Sequence, residues 1–319
     1  MPEDLRDGSA GPDGSSPDRA DDRNLGVTLR PTGGIAPLRR GPAQWIEEGL
    51  PERPPQIVQP KQRIFLSSVL FLLTVASTSY FVSPTYSVCL LAILTAHEFG
   101  HYLAARYYRV PATLPYFLPA PFLFGTMGAV IRMSPFIPNR KALFDISAAG
   151  PLAGVALAIP ISWVGVTLSS RLPAEDTLGL VLGEPLLFKV FEWAWFGAAE
   201  EGLTLVLHDV AFAGWVGLFI TALNLIPVGQ LDGGHIAYAV FARRSFKVAI
   251  AAFLVLLAIS IASRAAYALL LVLLFVTGIR HMPTMDDSVP IGRGRQRIAA
   301  LLLVVFLLCF VPVPISLGE

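Results

Sequence analysis

Seven stretches between Ile64 and Leu317 are each apolar for close to the ~20 residues a helix needs to cross the ~30 Å hydrocarbon layer of a bilayer. They run from Ile64 to Val82, Tyr86 to Tyr107, Ile146 to Leu168, Val210 to Val228, Lys247 to Ser263, Ala265 to Ile279 and Ile298 to Leu317. The fifth and sixth are short and separated only by Arg264, so six is the lower count. With 54% hydrophobic and 15% charged residues and a mean hydropathy of +0.61, the chain reads as an all-α polytopic membrane protein whose solvent is the lipid bilayer. The two cysteines, Cys89 and Cys309, lie inside apolar runs, which excludes a disulfide scaffold.

Two domains follow from composition. Residues 1–60 hold 8 Gly and 10 Pro with Trp45 as the only aromatic, too little apolar surface to fold, and read as a disordered tail. No apolar stretch follows the early charges, and Asp4, Asp7 and Asp13 are foreign to an organelle transit peptide, so the tail is expected to be neither a secretory signal nor a transit sequence. Residues 61–319 form the membrane-embedded domain. A formal charge of +1 gives no basic excess for nucleic acid. Placing the tail in the cytoplasm puts 21 of the 24 Lys and Arg on the inner side, as cytoplasmic loops require. The expected location is a bacterial inner membrane.

Two segments are not ordinary spans. Arg109 to Lys141 is apolar but carries six prolines, and within it Thr126 to Ser134 reads as a short strand, so it is expected to be a cytoplasmic-side re-entrant hairpin. Such backbone is tolerated at membrane depth only beside protein or a hydrated cavity. On the outer side, Leu186 to Phe196 has the pattern of a surface-lying amphipathic helix.

Few ionisable residues remain at membrane depth, where each costs several kcal/mol unless it is used, which makes a functional site the default reading. His97-Glu98-Phe99-Gly100-His101 fits H-E-x-x-H, which on a helix turns two imidazoles to one face so that both can reach a zinc ion. Glu98 then stands beside the metal as a general base for the zinc-bound water and afterwards a general acid for the leaving amine. Catalytic zinc takes three protein ligands. The third is expected to be Asp232, in a stretch that Pro227, Gly229, Gly233 and Gly234 break, with His235 as its competitor.

The helix-borne HEFGH together with the downstream NLIPVGQLDGGH resembles the site-2 protease family of intramembrane zinc metalloproteases, over roughly Leu66 to Leu317. The stretches GTMGAVIRMSPFIPNRKALFDISAAGPLAG and AGWVGLFITALNLIPVGQLDGGH most resemble its bacterial and plant subgroup, which includes the plastid yellow-green, gravitropism-deficient proteins and lacks a PDZ insert. The resemblance implies one zinc per chain held by His97, His101 and Asp232, Glu98 as the base, and Asn224 holding substrate or oxyanion. It implies cleavage of a peptide bond in or near a transmembrane segment of a membrane-anchored protein. Two other readings of intramembrane His and Asp stand beside it: a metal-ion transporter, for which Glu98 is superfluous, and an inactive protease-like scaffold, against which the intact Glu98 argues. Gly150-Pro151-Leu152-Ala153-Gly154 is read as a helix-packing stripe, Asp145 as a cap or a partner of Arg140 or Lys141, and His208 and His281 as interfacial residues. Oligomeric state is not expressed in any of these features.

Overall fold

The structure, a computed structural model, describes residues 62–121, 124–173, 180–198 and 202–317; the tail expected over residues 1–60 lies outside them. Helix α1 spans Ile64–Phe81 and α2 spans Pro84–Tyr107. Between them the Ser83 side chain accepts a hydrogen bond from the Tyr86 amide, and Pro84 opens α2, the preferred chemistry for a helix start. A two-stranded antiparallel hairpin follows, β1 (Tyr116–Pro119) and β2 (Thr126–Val130), with its register broken between Phe117 and Pro119. It packs against α1: Ser67 Oγ donates to the Pro115 carbonyl, and Ser77 Oγ to the Ala120 carbonyl at 2.9 Å. At the hairpin's far end the Tyr86 hydroxyl donates to the Phe124 carbonyl at 3.0 Å, and the Phe124 ring meets Phe212, Trp215 and Phe219.

Helix α3 (Arg140–Leu168) runs through the middle of the molecule, packed on α2 and on two later helices. Asn139 caps it, its side-chain oxygen accepting from the Ala142 amide at 3.0 Å. On the far side come β3 (Ser170–Pro173), β4 (Leu180–Leu182), α4 (Leu186–Phe196) and β5 (Leu203–Val206), with β3 paired to β5. Helix α5 (Asp209–Asn224) returns toward α2 and α3, capped by His208, whose Nδ1 accepts from the Val210 amide. Helix α6 (Asp232–Phe241), a 3-10 turn (Ala242–Arg244), α7 (Ser245–Ala262), α8 (Ala268–Thr277), α9 (Arg293–Cys309) and β6 (Ile315–Leu317), which pairs with β4, complete the chain.

The central core is built from α2, α3 and α5, with Tyr86, Leu90, Ile93, Val166, Trp215, Val216 and Leu218 almost fully buried. Small residues let the backbones close up, the usual device where lipid gives no hydrophobic incentive for helices to associate. A Cβ on Gly165 would lie 2.1 Å from the Ala211 amide nitrogen, and one on Gly214 would lie 2.2 Å from Ser162 Oγ. Outward faces, by contrast, carry Leu72, Val164, Leu254 and Phe275 well exposed, as a surface in contact with acyl chains requires.

Three expectations change. The molecule is mostly helical rather than all-α, because six short strands pair into three two-stranded sheets, among them the hairpin containing Thr126. Among the described residues four stretches are long and apolar enough to cross a membrane: α1, α2, α3 and the run Asp232–Ala262, which turns at Ala242 so that α7, of 18 residues, is its spanning part. Of the other three apolar stretches, two form the shorter helices α5 and α8, and the last falls in α9, a helix of 17 residues, and β6. Asp145 neither caps α3 nor pairs with Arg140 or Lys141. Its carboxylate takes two bonds from Arg295 of α9, at 2.6 and 2.7 Å, and one from the Tyr108 hydroxyl, tying α9 to the ends of α2 and α3.

Gly165→Ala is expected to cost about 1–3 kcal/mol through the overpacked α3–α5 contact, whereas Gly294→Ala, at a helical position with open space around it, is expected to cost nothing and to gain up to about 1 kcal/mol from helix propensity. Thermal unfolding of the two variants in the same micelles checks this.

Candidate metal centre

His97 and His101 stand one turn apart on α2, and both rings are buried, 3% and 6% exposed. What holds them is the facing side of α3. The His101 Nδ1 lies 2.8 Å from the Ile146 carbonyl; a carbonyl only accepts, so Nδ1 carries the proton and Nε2 keeps its lone pair for a metal. Four and eight residues further along α3 come Gly150 and Gly154. A Cβ on Gly150 would sit 2.1 Å from His101 Nε2, and one on Gly154 would sit 3.1 Å from His97 Nδ1. The small-residue stripe is therefore packing, as expected, and what it packs against is the pair of imidazoles.

The third group arrives through a break in the helical run. Helix α5 stops at Asn224, and residues 225–231, with Pro227 and with Gly229 at φ +57°, fold back over the start of α6. A Cβ on Gly233 would lie 2.0 Å from the Leu225 carbonyl oxygen, so only glycine allows this return. Asp232, first residue of α6, then points inward. Its Oδ2 is 3.3 Å from His97 Nε2 and 3.2 Å from His101 Nε2, and the two Nε2 atoms are 3.2 Å apart.

These edges test whether a metal fits. Four donors at ~2.0–2.1 Å around tetrahedral zinc are separated by ~3.3 Å, and the three donors here form a triangle of that size. Two imidazoles and a carboxylate are a donor set that zinc accepts. Among the described residues this is the one group of three or more such side chains able to hold a metal ion.

Glu98 is 6% exposed and, among the described residues, makes neither a hydrogen bond nor an ion pair. Its oxygens are not among the enclosed polar atoms without a partner, so the carboxyl is not sealed off from water, as a group that takes up and returns a proton requires. The side-chain nitrogen of Asn224 lies 3.3 Å from His97 Nε2, bringing the fifth site residue to the same place. His235, the competitor of Asp232, turns away: its Nδ1 hydrogen-bonds Nε2 of His281, which stacks on Tyr238 at 4.5 Å. Burial first, then the neighbouring His235, pushes His281 down to about 3, so it is neutral across the physiological range. The sequence offered no sign of this pair, since 45 residues separate its members.

Gly150→Ala is expected to displace the His101 ring and weaken metal affinity by about 10–100-fold, the scale of lost support around a ligand. Gly154→Ala, with its looser 3.1 Å contact, is expected to lose less. Metal analysis of the purified proteins after dialysis against a graded chelator distinguishes the two.

Comparison with known proteins places this geometry. The model for peptidase family M50 matches residues 85–263, which contain the H-E-x-x-H helix, Asn224 and Asp232. The chain is 32% identical over 235 residues to a protein named probable zinc metalloprotease EGY1, chloroplastic, from Arabidopsis thaliana, covering 72% of this chain and 43% of that protein. The Oryza sativa subsp. japonica protein of the same name is 34% identical over 231 residues, 70% of this chain and 39% of its own length. The chain thus spans less than half of these relatives. A solved structure, the site-2 protease from Methanocaldococcus jannaschii, overlaps 76% of this chain and 86% of its own at 18% identity with a TM-score of 0.29, too slight a likeness to argue from. The relatives are named as chloroplastic, at odds with the bacterial inner membrane expected from sequence; a membrane protein is what stands. With the family model covering more than half of its residues and the whole of the histidine and aspartate motifs, the chain belongs to peptidase family M50.

Proposed function

We propose that the chain is an intramembrane zinc metalloendopeptidase that hydrolyses a peptide bond in or near a transmembrane segment of a membrane-anchored protein. One observation carries this reading: three donors spaced for zinc, beside Glu98, which is 6% exposed and among the described residues makes no hydrogen bond. His97, His101 and Asp232 hold one zinc ion, with Asp232 preferred to His235 because only the former reaches the triangle. Zinc bound there would supply a Lewis acid and lower the pKa of a water beside it. Glu98 takes the proton of the water that attacks the scissile carbonyl carbon. It returns that proton to the amide nitrogen as the C–N bond breaks, and the second proton of the water follows, leaving a carboxylate and an ammonium group. Asn224, at the edge of the triangle, is placed to donate to the carbonyl oxygen as it gains charge.

A helical peptide bond is shielded, so the substrate has to be drawn out into an extended form. The edge of β2 offers backbone pairing for that, with Met127 and Val130 exposed along it. A cavity of about 300 Å³ lies between residues 131–137, which leave the hairpin, and the Gln230–His235 stretch that carries Asp232. That cavity is lined by the His235–His281 pair and not by the metal donors, so the hairpin borders the segment that carries Asp232; we take both to lie on the side rich in Lys and Arg, the cytoplasmic one, with the hairpin re-entrant there. About seven crossings, with α5 and α8 completing passes that loops extend, remain the topology we favour. Metal transport is disfavoured because a carrier has no use for an unpaired Glu98, and a silent scaffold because nothing in the triad is missing.

His97→Ala, His101→Ala and Asp232→Ala are expected to lose zinc, while Glu98→Gln keeps it and lowers turnover about 10²–10⁴-fold. Metal analysis beside cleavage of a model transmembrane substrate decides this. Wild-type turnover in Glu98→Gln would end the mechanism, and full zinc in Asp232→Ala would end the ligand assignment. For topology, Arg132→Cys and Ser288→Cys, both exposed positions, in a Cys89→Ser/Cys309→Ser background should react with an impermeant thiol reagent only from the inner face. Labelling of both from outside would invert the assignment.

A further inference from the structure

Where α6 turns into α7, the chain makes a second site. Ala242 takes φ +50°, which a side chain rarely adopts, and swings the next helix back, so that Gly234 of α6 and Ala249 of α7 line one small pocket together. Against the turn lies Asp287, and between them opens a cavity of about 470 Å³ lined by Val240, Phe241, Ala242, Arg243, Arg244 and Asp287. Both arginines are exposed, and among the described residues neither makes an ion pair or a side-chain hydrogen bond. Asp287, the one acid lining the cavity, is already engaged: its Oδ2 accepts from the Tyr238 hydroxyl and its Oδ1 from the Thr284 hydroxyl at 2.7 Å. Two guanidinium groups therefore face an open volume whose one carboxylate, Asp287, is held by Tyr238 and Thr284 and bonds neither of them.

The surroundings say what kind of anion fits. Phe241 and Phe246 are exposed at the turn, and Arg280 lies over the Phe246 ring at 6.0 Å, the mixture of aromatic and basic residues that marks the headgroup level of a bilayer. From there Phe246, Ile250, Leu254, Leu257 and Ile261, spaced three and four apart, form one exposed apolar stripe along α7. A phosphate held by the arginines would have its acyl chains running down that stripe, which a free phosphate would leave bare.

We propose that the cavity at the α6–α7 turn binds the phosphate of an anionic phospholipid, with Arg243 and Arg244 on its oxygens and the acyl chains along α7. Arg is suited to this because its planar fork meets two phosphate oxygens at once. The proposal is independent of the peptidase reading, since none of its residues belongs to the metal centre.

The test uses the full chain, delipidated in micelles and titrated with dioleoylphosphatidylglycerol or dioleoylphosphatidylcholine, with bound lipid counted by native mass spectrometry. The wild type should hold the phosphatidylglycerol in preference to the phosphatidylcholine. At about 1 kcal/mol for each basic residue near a phosphate, Arg243→Gln/Arg244→Gln is expected to weaken that binding about 30-fold and each single variant about 5-fold. Lys247→Gln/Arg297→Gln removes the same charge from exposed positions outside the cavity and should leave it unchanged. Unaltered binding in the double variant, or an equal loss in the charge-matched control, overturns the site; unaltered binding in the single variants does so if the double variant does not fold. A competing arm with inorganic phosphate separates the two sources: displacement of the lipid at equal concentration would make the ligand free phosphate and overturn the lipid assignment.

Discussion

The close approach of α2 to α3 is the contact on which the rest of this molecule depends. Three residues of α3 spaced four apart, Ile146, Gly150 and Gly154, make a strip of carbonyl and bare backbone against which the His97 and His101 rings lie. The strip does two things that pull against each other elsewhere in a membrane. It satisfies one ring nitrogen through a backbone carbonyl, and it comes so near that the other ring nitrogen has one direction left. On the opposite side, Gly100 of α2 would place a Cβ 2.5 Å from the Ala149 carbonyl oxygen, so the tightness is mutual. Polar side chains at this depth are tolerated because helix packing has fixed where their lone pairs go.

Delivery of the carboxylate is the second constraint. A continuous helix through residues 209–241 would carry Asp232 past the histidines with its side chain on whichever face the period dictated. The break at 225–231 makes the aspartate the first residue of a new helix, so its direction is set by the fold-back and by the glycines that allow it. The two halves of the centre thus come from opposite strategies: a rigid helix face for the imidazoles, a helix interruption for the acid.

This division explains what could be read from the chain alone. H-E-x-x-H is legible because its geometry is local: four residues of helix suffice to set the two rings on one face. The glycines and proline around Asp232 are legible as an interruption for the same reason. The partners were not. That Gly150 and Gly154 serve the histidines, that Asp145 answers Arg295 rather than its neighbours Arg140 and Lys141, and that His235 belongs with His281 are matters of which helices meet, and apolar stretches of similar composition carry little information about their neighbours. Strands were partly legible for a related reason. Thr126 to Ser134 stands out by its β-prone residues among prolines, whereas β3 to β6 are three- and four-residue pieces that exist only because the pairing partner is near.

The hairpin β1–β2 has a mechanical consequence. It is fastened along β1 to α1 through Ser67 and Ser77, and at its far end to α2 and α5 through Phe124. A flap needs one loose end, and among the described residues this one has none. Lifting it alone would break hydrogen bonds of Ser67, Ser77 and Tyr86 and pull an aromatic ring out of the cluster around Trp215, whereas α1 has few ties to the rest of the bundle beyond α2 and the hairpin itself. Any widening of the way to the histidines is therefore least costly as a sideways slide of α1 and the hairpin as one rigid plate, with the Phe124 contact as its pivot and the short turn at Ser83 as its tether.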